Sequence, residues 1–60
     1  VPLIQVSLYE DRLTPETRRA LIGELTEAAV RALGPECRDV TWVTLQGIPR
    51  DQWGIGGTPG

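Results

Sequence analysis

The sequence predicts an α+β fold in which one helix connects two parallel strands and a short hairpin follows. Three observations support this prediction. Residues 3–9 alternate apolar and polar side chains, residues 15–33 carry an apolar stripe at helical spacing, and residues 40–46 are rich in β-branched and aromatic side chains. A strand, a helix and a second strand in a short chain imply a right-handed crossover, which makes the strands parallel. We therefore expect a single domain over residues 1–60.

The first strand is predicted from the segment LIQVSLY at residues 3–9. Alternate side chains of a strand point to opposite faces, so one face of this strand is apolar and the other mostly polar. The apolar face carries Ile4, Val6 and Leu8. The charged residues at 10–12 then end the strand.

A helix is predicted over residues 15–33. Thr14 is a favourable N-cap, Pro15 suits the first helical position, and Glu16 complements the positive end of the helix dipole. Gly34 is expected to end the helix in a left-handed conformation, followed by a proline that cannot continue it.

The second strand is predicted at residues 40–46, VTWVTLQ. Residues 47–60 follow it and are dense in glycine and proline, so we expect turns, a loop or a short hairpin there. The motif GIGG at residues 54–57 lacks the spacing of a phosphate-binding loop and favours a turn.

The size of the chain predicts oligomerisation. A 60-residue chain buries only about 60% of the surface that its unfolded form exposes. Its single cysteine, Cys37, and its lack of histidine leave no internal disulfide and no zinc site to compensate. Two parallel strands covered by one helix also leave one sheet face and both edges open. We expect a dimer with a continuous four-stranded sheet, assembled further into a larger ring.

Composition narrows the classes of function. A net charge of −2 with scattered basic residues argues against nucleic-acid binding. No apolar run is long enough to span a membrane, and no signal-peptide pattern is present. With one cysteine and no targeting signal, the expected location is the cytoplasm.

Several residues allow both a structural and a functional interpretation. Arg12 follows the first strand, where it either lies in a solvated turn or binds a substrate carboxylate through its guanidinium. Trp53 is either a structural anchor or the wall of a pocket. Cys37 has no histidine to activate it, so a partly buried structural thiol is the favoured interpretation, and its role stays open.

Three segments in this order resemble the 4-oxalocrotonate tautomerase family: PLIQVSLYEDR at 2–12, LIGELTEAA at 21–29, and IPRDQWGIGG at 48–57. The resemblance covers nearly the whole chain. It implies a β-α-β subunit assembled as a homohexamer or heterohexamer, a trimer of dimers. It also implies chemistry without a cofactor, in which an amino-terminal proline moves a proton between carbons of the substrate. The implied substrate is a small carboxylate, either a dienol or an unsaturated 2-oxo acid.

The resemblance assigns roles to individual residues. Pro2 matches the catalytic proline, and Arg12 matches the arginine that binds the substrate carboxylate. Trp53 and Ile55 match residues of the pocket wall, and Tyr9 falls where the family often has a pocket-lining leucine. A base works best with a pKa near the working pH, and apolar surroundings and nearby cations lower the pKa of a terminal amine further towards it.

The sequence departs from the family pattern in two places. If Val1 precedes Pro2 in the mature chain, the proline nitrogen is an amide and cannot act as a base. Alternatively, Val1 records a start codon and is removed, or its own amine substitutes. The second departure is in the second strand, where family enzymes commonly carry an arginine and this chain has Thr41 or Trp42. Arg38 lies nearby and is the candidate substitute for binding the substrate.

Three functional hypotheses follow. The first is a tautomerase that uses the residues assigned above. The second is a non-catalytic subunit of a hetero-oligomeric tautomerase, which is motivated by Val1 and by the missing arginine. The third is a small self-assembling protein whose GIGG hairpin only completes an interface.

Overall fold

The protein is described by a computed structural model that covers residues 2–60. Strand β1 (Leu3–Tyr9) pairs in parallel with strand β2 (Trp42–Ile48), and strands β3 (Gly54–Ile55) and β4 (Thr58–Pro59) form a separate antiparallel hairpin. The predicted β-α-β arrangement with a C-terminal hairpin is therefore confirmed. The elements are β1 (Leu3–Tyr9), α1 (Pro15–Leu33), β2 (Trp42–Ile48), β3 (Gly54–Ile55) and β4 (Thr58–Pro59), joined by 3-10 turns at Glu10–Arg12, Pro35–Val40 and Arg50–Gln52.

The two faces of the parallel sheet differ in exposure, as the alternating pattern predicts. On β1 the apolar side chains Ile4, Val6 and Leu8 are half-buried, whereas Leu3 and Gln5 are exposed. The same alternation continues across the strand pair, because each residue of β1 lies in register with a residue of β2. One face of the sheet is thus partly covered, and the other is open.

The predicted bounds of the second strand were two residues too early. Val40 belongs to the preceding 3-10 turn, and the strand extends through Gly47 and Ile48. Those two residues pair with Leu8 and Tyr9 at the end of β1. Pairing with the first strand, which no local pattern reveals, carries β2 into a segment whose glycine content favours a loop.

Both ends of α1 are capped. At the start, Thr14 and Thr17 form a capping box: the Thr17 amide donates to Thr14 Oγ1 (3.1 Å) and the Thr14 amide donates to Thr17 Oγ1 (2.7 Å). At the end, the predicted left-handed geometry of Gly34 was wrong in ψ. Its φ of 109° is positive, but its ψ of 157° is extended, because Pro35 excludes helical ψ at the residue before it. No helix within residues 2–60 is both long and apolar enough to cross a bilayer.

The described chain is flat and has little core. Its extents are 42 × 24 × 14 Å and its radius of gyration is 14.0 Å, against about 10 Å for a compact chain of this length. Among residues 2–60 only Cys37 is buried, at 8% exposure. Large apolar side chains are left exposed: Leu3, Ile22, Leu33, Val40, Trp42 and Ile55. This surface supports the predicted oligomerisation, which stays a prediction.

Candidate active site

A cavity of about 510 Å³ lies where the end of β1 meets the first turns of α1. It is open to solvent, and most of its surface is apolar. Aromatic rings, aliphatic side chains, three hydroxyls and one guanidinium line it: Ser7, Leu8, Tyr9, Arg12, Thr17, Leu21 and Trp53. Three of the residues singled out from the sequence, Tyr9, Arg12 and Trp53, thus meet in one place.

The turn that carries Arg12 is held from both sides. On the helix side, Thr17 Oγ1 donates a hydrogen bond to the Arg12 carbonyl (2.9 Å). On the sheet side, the turn approaches Gly47 so closely that a Cβ on this glycine would lie 3.1 Å from Glu10 Cα and 3.0 Å from Leu13 Cδ1. Arg12 itself is exposed and forms no ion pair with a carboxylate of residues 2–60. Its guanidinium is therefore available to an anion.

Tyr9 and Trp53 form an aromatic wall. Their ring centroids lie 4.9 Å apart with a 48° angle between the planes, which is within the range of favourable aromatic pairs. Trp53 is held by the C-terminal hairpin, because the Gly60 amide donates to the Trp53 carbonyl (2.7 Å). A Cβ on Gly60 would lie 2.7 Å from Tyr9 Oη, so the end of the hairpin packs against the tyrosine.

Ile55, the other predicted wall residue, is 64% exposed in β3. Its Cδ1 atom would lie 3.8 Å from a Cβ on Gly60, the glycine that touches Tyr9. It is therefore beside the aromatic wall, although it does not line the cavity within one chain.

A second arginine, Arg50, contacts the aromatic wall but does not line the cavity. Its guanidinium carbon lies 4.0 Å from the centroid of the Tyr9 ring. It also donates two hydrogen bonds to Asp11, from Nε to Oδ2 (2.9 Å) and from Nη2 to Oδ1 (3.4 Å). The hydrogen bond to Asp11 raises the pKa of Arg50. The sequence pattern assigned no role to Arg50, since its partner lies 39 residues earlier and no local spacing links them.

Pro2 lies at the opposite end of β1 from the cavity. Its carbonyl accepts a hydrogen bond from the Trp42 amide (2.9 Å) at the start of β2. β1 has seven residues, and at about 3.3 Å per residue its ends are about 20 Å apart. One chain therefore does not bring Pro2 and Arg12 together. The hypotheses about Val1 fall on a residue outside the described range.

Arg38, the predicted substitute for the strand-two arginine, forms an ion pair with Glu27. Nη1 and Nη2 of the guanidinium donate to the two carboxylate oxygens, Nη2 over 3.1 Å. This hydrogen bonding raises the pKa of Arg38 and lowers the pKa of Glu27. Arg38 does not line the cavity of its own chain, and its role in substrate binding stays a prediction.

The lining favours a particular chemistry. One exposed guanidinium can bind a carboxylate, the two rings can pack against an apolar or unsaturated carbon skeleton, and the Ser7 hydroxyl can hydrogen-bond to an oxygen. Within residues 2–60 no group of three acidic or cysteine side chains is placed to hold a metal ion. A guanidinium among mainly apolar walls fits a small organic anion.

Comparison with known proteins identifies close relatives. A family described as "Tautomerase enzyme" matches residues 2–59. A probable tautomerase of Ralstonia nicotianae is 49% identical over 59 residues, which cover 98% of this chain and 81% of the relative. A probable tautomerase of Dickeya dadantii is 32% identical over 57 residues, covering 95% and 84%. The crystal structure of a 4-oxalocrotonate tautomerase homologue superposes with a TM-score of 0.85 at 39% identity, covering 98% and 90%.

Proposed function

The chain belongs to the tautomerase family, and from this premise we propose that it is an isomerase that needs no cofactor. Family membership supports tautomerase activity in general. The finer proposal is that the enzyme moves a proton between carbons of a small dienol or unsaturated 2-oxo acid. The observation that carries it is the cavity near the end of β1, which is lined by an available arginine and two aromatic rings.

In this proposal Arg12 binds the substrate carboxylate and Pro2 is the base, supplied by a second chain. Each strand of the parallel pair has one unpaired edge within residues 2–60. A two-fold axis that pairs β1 of one chain with β1 of another makes the two strands antiparallel. The Pro2 end of one chain then lies beside the Arg12 end of the other, which removes the separation of about 20 Å within one chain.

The chemistry follows from these positions. A proline with a free secondary amine takes a proton from the substrate, from the hydroxyl oxygen of an enol or from a carbon of an unsaturated 2-oxo acid. It then gives the proton to another carbon of the same conjugated system. Negative charge develops on the dienolate meanwhile, and the Arg12 guanidinium stabilises it in a mainly apolar site, where such an interaction is stronger than in water. Trp53 limits the access of water to the cavity, and Ile55 joins this wall if assembly brings it to the cavity of a second chain.

The charges of the site narrow the substrate class. Arg50 and Arg38 are paired with Asp11 and Glu27, so among residues 2–60 of one chain Arg12 is the cation that lines the cavity. We therefore propose a monocarboxylate with an apolar body in preference to a dicarboxylate. If Arg38 contributes to substrate binding, it must first exchange its carboxylate partner for the substrate.

The test is ketonisation of phenylenolpyruvate, an aryl monocarboxylate enol. Two forms of the chain are compared, one that begins at Pro2 and one that retains Val1, each verified by intact mass. We expect the first form to be active. Pro2→Ala removes the proposed base and Arg12→Ala removes the group that stabilises the developing charge, so each variant should lose at least about tenfold in kcat/KM. Arg19→Ala, an exposed helix arginine on the side of α1 away from Thr17 and Leu21, is the control. Full activity of both variants would contradict the proposal.

Mixing variants tests whether the site is shared. Pro2→Ala and Arg12→Ala chains are unfolded, combined in equal amounts and refolded. If each site takes its proline from one chain and its arginine from another, random assembly restores about a quarter of the sites. Activity that stays at the level of the separate variants, with the assembly intact by native mass spectrometry, would exclude a shared site.

A second candidate is a non-catalytic subunit of a hetero-oligomeric tautomerase. The order Val1–Pro2 in the sequence and the presence of Trp42 early in β2 favour it. It predicts that the form retaining Val1 is inactive alone yet assembles, and that it lends Arg12 to a partner's site. A homohexamer or heterohexamer and a cytoplasmic location are the corresponding proposals for assembly and location, and native mass spectrometry of the isolated chain distinguishes the two assemblies.

A further inference from the structure

We propose that Arg50 is a positioning residue: anchored by Asp11, it holds the Tyr9 ring against Trp53 and so sets the affinity of the cavity for the apolar part of the substrate. This inference deepens the proposed function and rests on it for the identity of the substrate class. It concerns a residue that lies outside the cavity lining and does not touch the reacting atoms.

The geometry places Arg50 between a carboxylate and a ring. One edge of the guanidinium meets both oxygens of Asp11 at 2.9 and 3.4 Å. Its carbon lies 4.0 Å from the Tyr9 centroid, well inside the range of about 6 Å for a cation–π contact. Tyr9 also contacts Trp53, at 4.9 Å between the ring centroids. Asp11, Arg50, Tyr9 and Trp53 thus form one continuous series of side-chain contacts, which we call the stack.

This stack joins the two turns that carry the binding residues. Asp11 is adjacent to Arg12 in the turn after β1, and Arg50 begins the turn after β2. The second turn also positions Trp53 directly, because the Trp53 amide donates to the Arg50 carbonyl (3.2 Å). Loss of the stack therefore releases the aromatic wall relative to the carboxylate-binding turn, and leaves both turns in place on the sheet.

The contribution expected of Arg50 is local. The side chains of Arg50 and Asp11 are 53% and 57% exposed, and exposed ion pairs contribute little to overall stability. The planar guanidinium can donate two parallel hydrogen bonds and stack on a ring at once, which a lysine ammonium cannot do. A change at this position should consequently alter binding of an aryl group more than it alters folding.

The kinetic test compares two enol substrates that share the 2-oxo acid carboxylate, one with an aryl group and one with a short alkyl chain. We expect Arg50→Ala to raise KM for the aryl substrate about two- to fivefold, the range of an exposed cation–π contact. KM for the alkyl substrate and both kcat values should stay within about twofold, a split that general loss of structure would not produce. Asp11→Asn should raise KM for the aryl substrate by less than Arg50→Ala does, and Arg50→Lys should restore only part of the lost affinity for that substrate. Arg19→Ala is the matched control.

A binding test works without turnover. In a Trp42→Phe background Trp53 is the remaining tryptophan, so its fluorescence reports on the aromatic wall. Phenylacetate, a non-reactive aryl carboxylate, is expected to quench it, with a Kd that Arg50→Ala raises about two- to fivefold. If the wild type binds phenylacetate but turns over no enol, the proposed function fails. The change in Kd between the wild type and Arg50→Ala then still tests the role of Arg50.

Three results would overturn the inference. One is an unchanged Kd and KM for aryl ligands in Arg50→Ala. The second is an equal rise for aryl and alkyl substrates, which would mean that Arg50 acts only through charge or folding. The third is absence of phenylacetate binding to the chain with Arg50 intact. If Arg50→Ala does not fold, Asp11→Asn and Arg50→Lys decide by the same criteria.

Discussion

Replacing Gly47 with alanine should disturb the turn that carries Arg12. Gly47 lies in β2 opposite Leu8, and a Cβ there would come within 3.1 Å of both Glu10 Cα and Cβ and within 3.0 Å of Leu13 Cδ1. Ordinary carbon–carbon contacts lie at about 3.5–4.0 Å. The Leu13 methyl can rotate away, but Glu10 Cα belongs to the backbone of the turn, so the turn itself must move.

The expected magnitude follows from two opposing effects. Forcing an extra methyl into a packed contact costs about 1–3 kcal/mol, whereas Gly→Ala lowers the entropy of the unfolded chain and returns about 0.4–1 kcal/mol. Gly47→Ala should therefore reduce the free energy of unfolding by about 0.5–2 kcal/mol. It should also raise KM for the carboxylate substrate, because the displaced turn carries Arg12.

Gly23→Ala is the matched control. Gly23 lies within α1, and a Cβ there would meet nothing within 4 Å. The same substitution should stabilise the chain by about 0.5–1 kcal/mol, since alanine has the higher helix propensity. Urea unfolding followed by circular dichroism, at equal protein concentration for each variant, measures both the expected loss of stability in Gly47→Ala and the expected gain in Gly23→Ala. If Gly47→Ala were as stable as Gly23→Ala and kept its KM, close packing at Gly47 would have no part in positioning Arg12.

Three further outcomes are expected. Thr14→Ala removes the hydrogen bond that Thr14 Oγ1 accepts from the Thr17 amide and should lower the free energy of unfolding by about 1 kcal/mol. An unchanged urea midpoint would contradict this. The hydrogen bond from Arg38 lowers the pKa of Glu27 from its ordinary 4.5, so the pair stabilises the fold above that pH and the contribution is lost as pH falls through the lowered pKa. Glu27→Gln should therefore make stability depend less on pH below 4.5. Urea midpoints measured at a series of pH values would test this. Arg12→Lys keeps the charge but loses the two-pronged geometry, and KM for the carboxylate should rise several-fold where Arg19→Lys leaves it unchanged.

The sequence predicted the elements well because their signals are local. The alternation in β1 and the Thr14 cap each depend on neighbours a few residues away, and both were confirmed. The bounds of β2 were wrong since they depend on pairing with β1. The Asp11–Arg50 pair escaped detection for the same reason, as its two residues meet only after the strands have paired.

One feature of the site was implicit in strand length alone. A seven-residue strand between Pro2 and the turn of Arg12 separates its ends by about 20 Å, far more than a small dienol spans. A site that uses both residues therefore requires two chains, whatever the details of the fold. The roles of Pro2 and Arg12 come from the resemblance to a family, whereas the need for a second chain follows from the length of the strand between them.

A second chain would also bury apolar surface that a single chain leaves exposed. A flat unit 14 Å thick, with Leu3 and Trp42 exposed side by side at one end of the sheet, gains most by burying its open edge and face. Edge pairing through β1 extends the sheet and brings the two halves of the site together in one step. Folding and catalysis then depend on the same contact, so specific activity should fall with dilution over the concentration range in which the assembly dissociates. Activity that persisted in a dissociated monomer would separate the two and remove the reason for assigning Pro2 and Arg12 to one site.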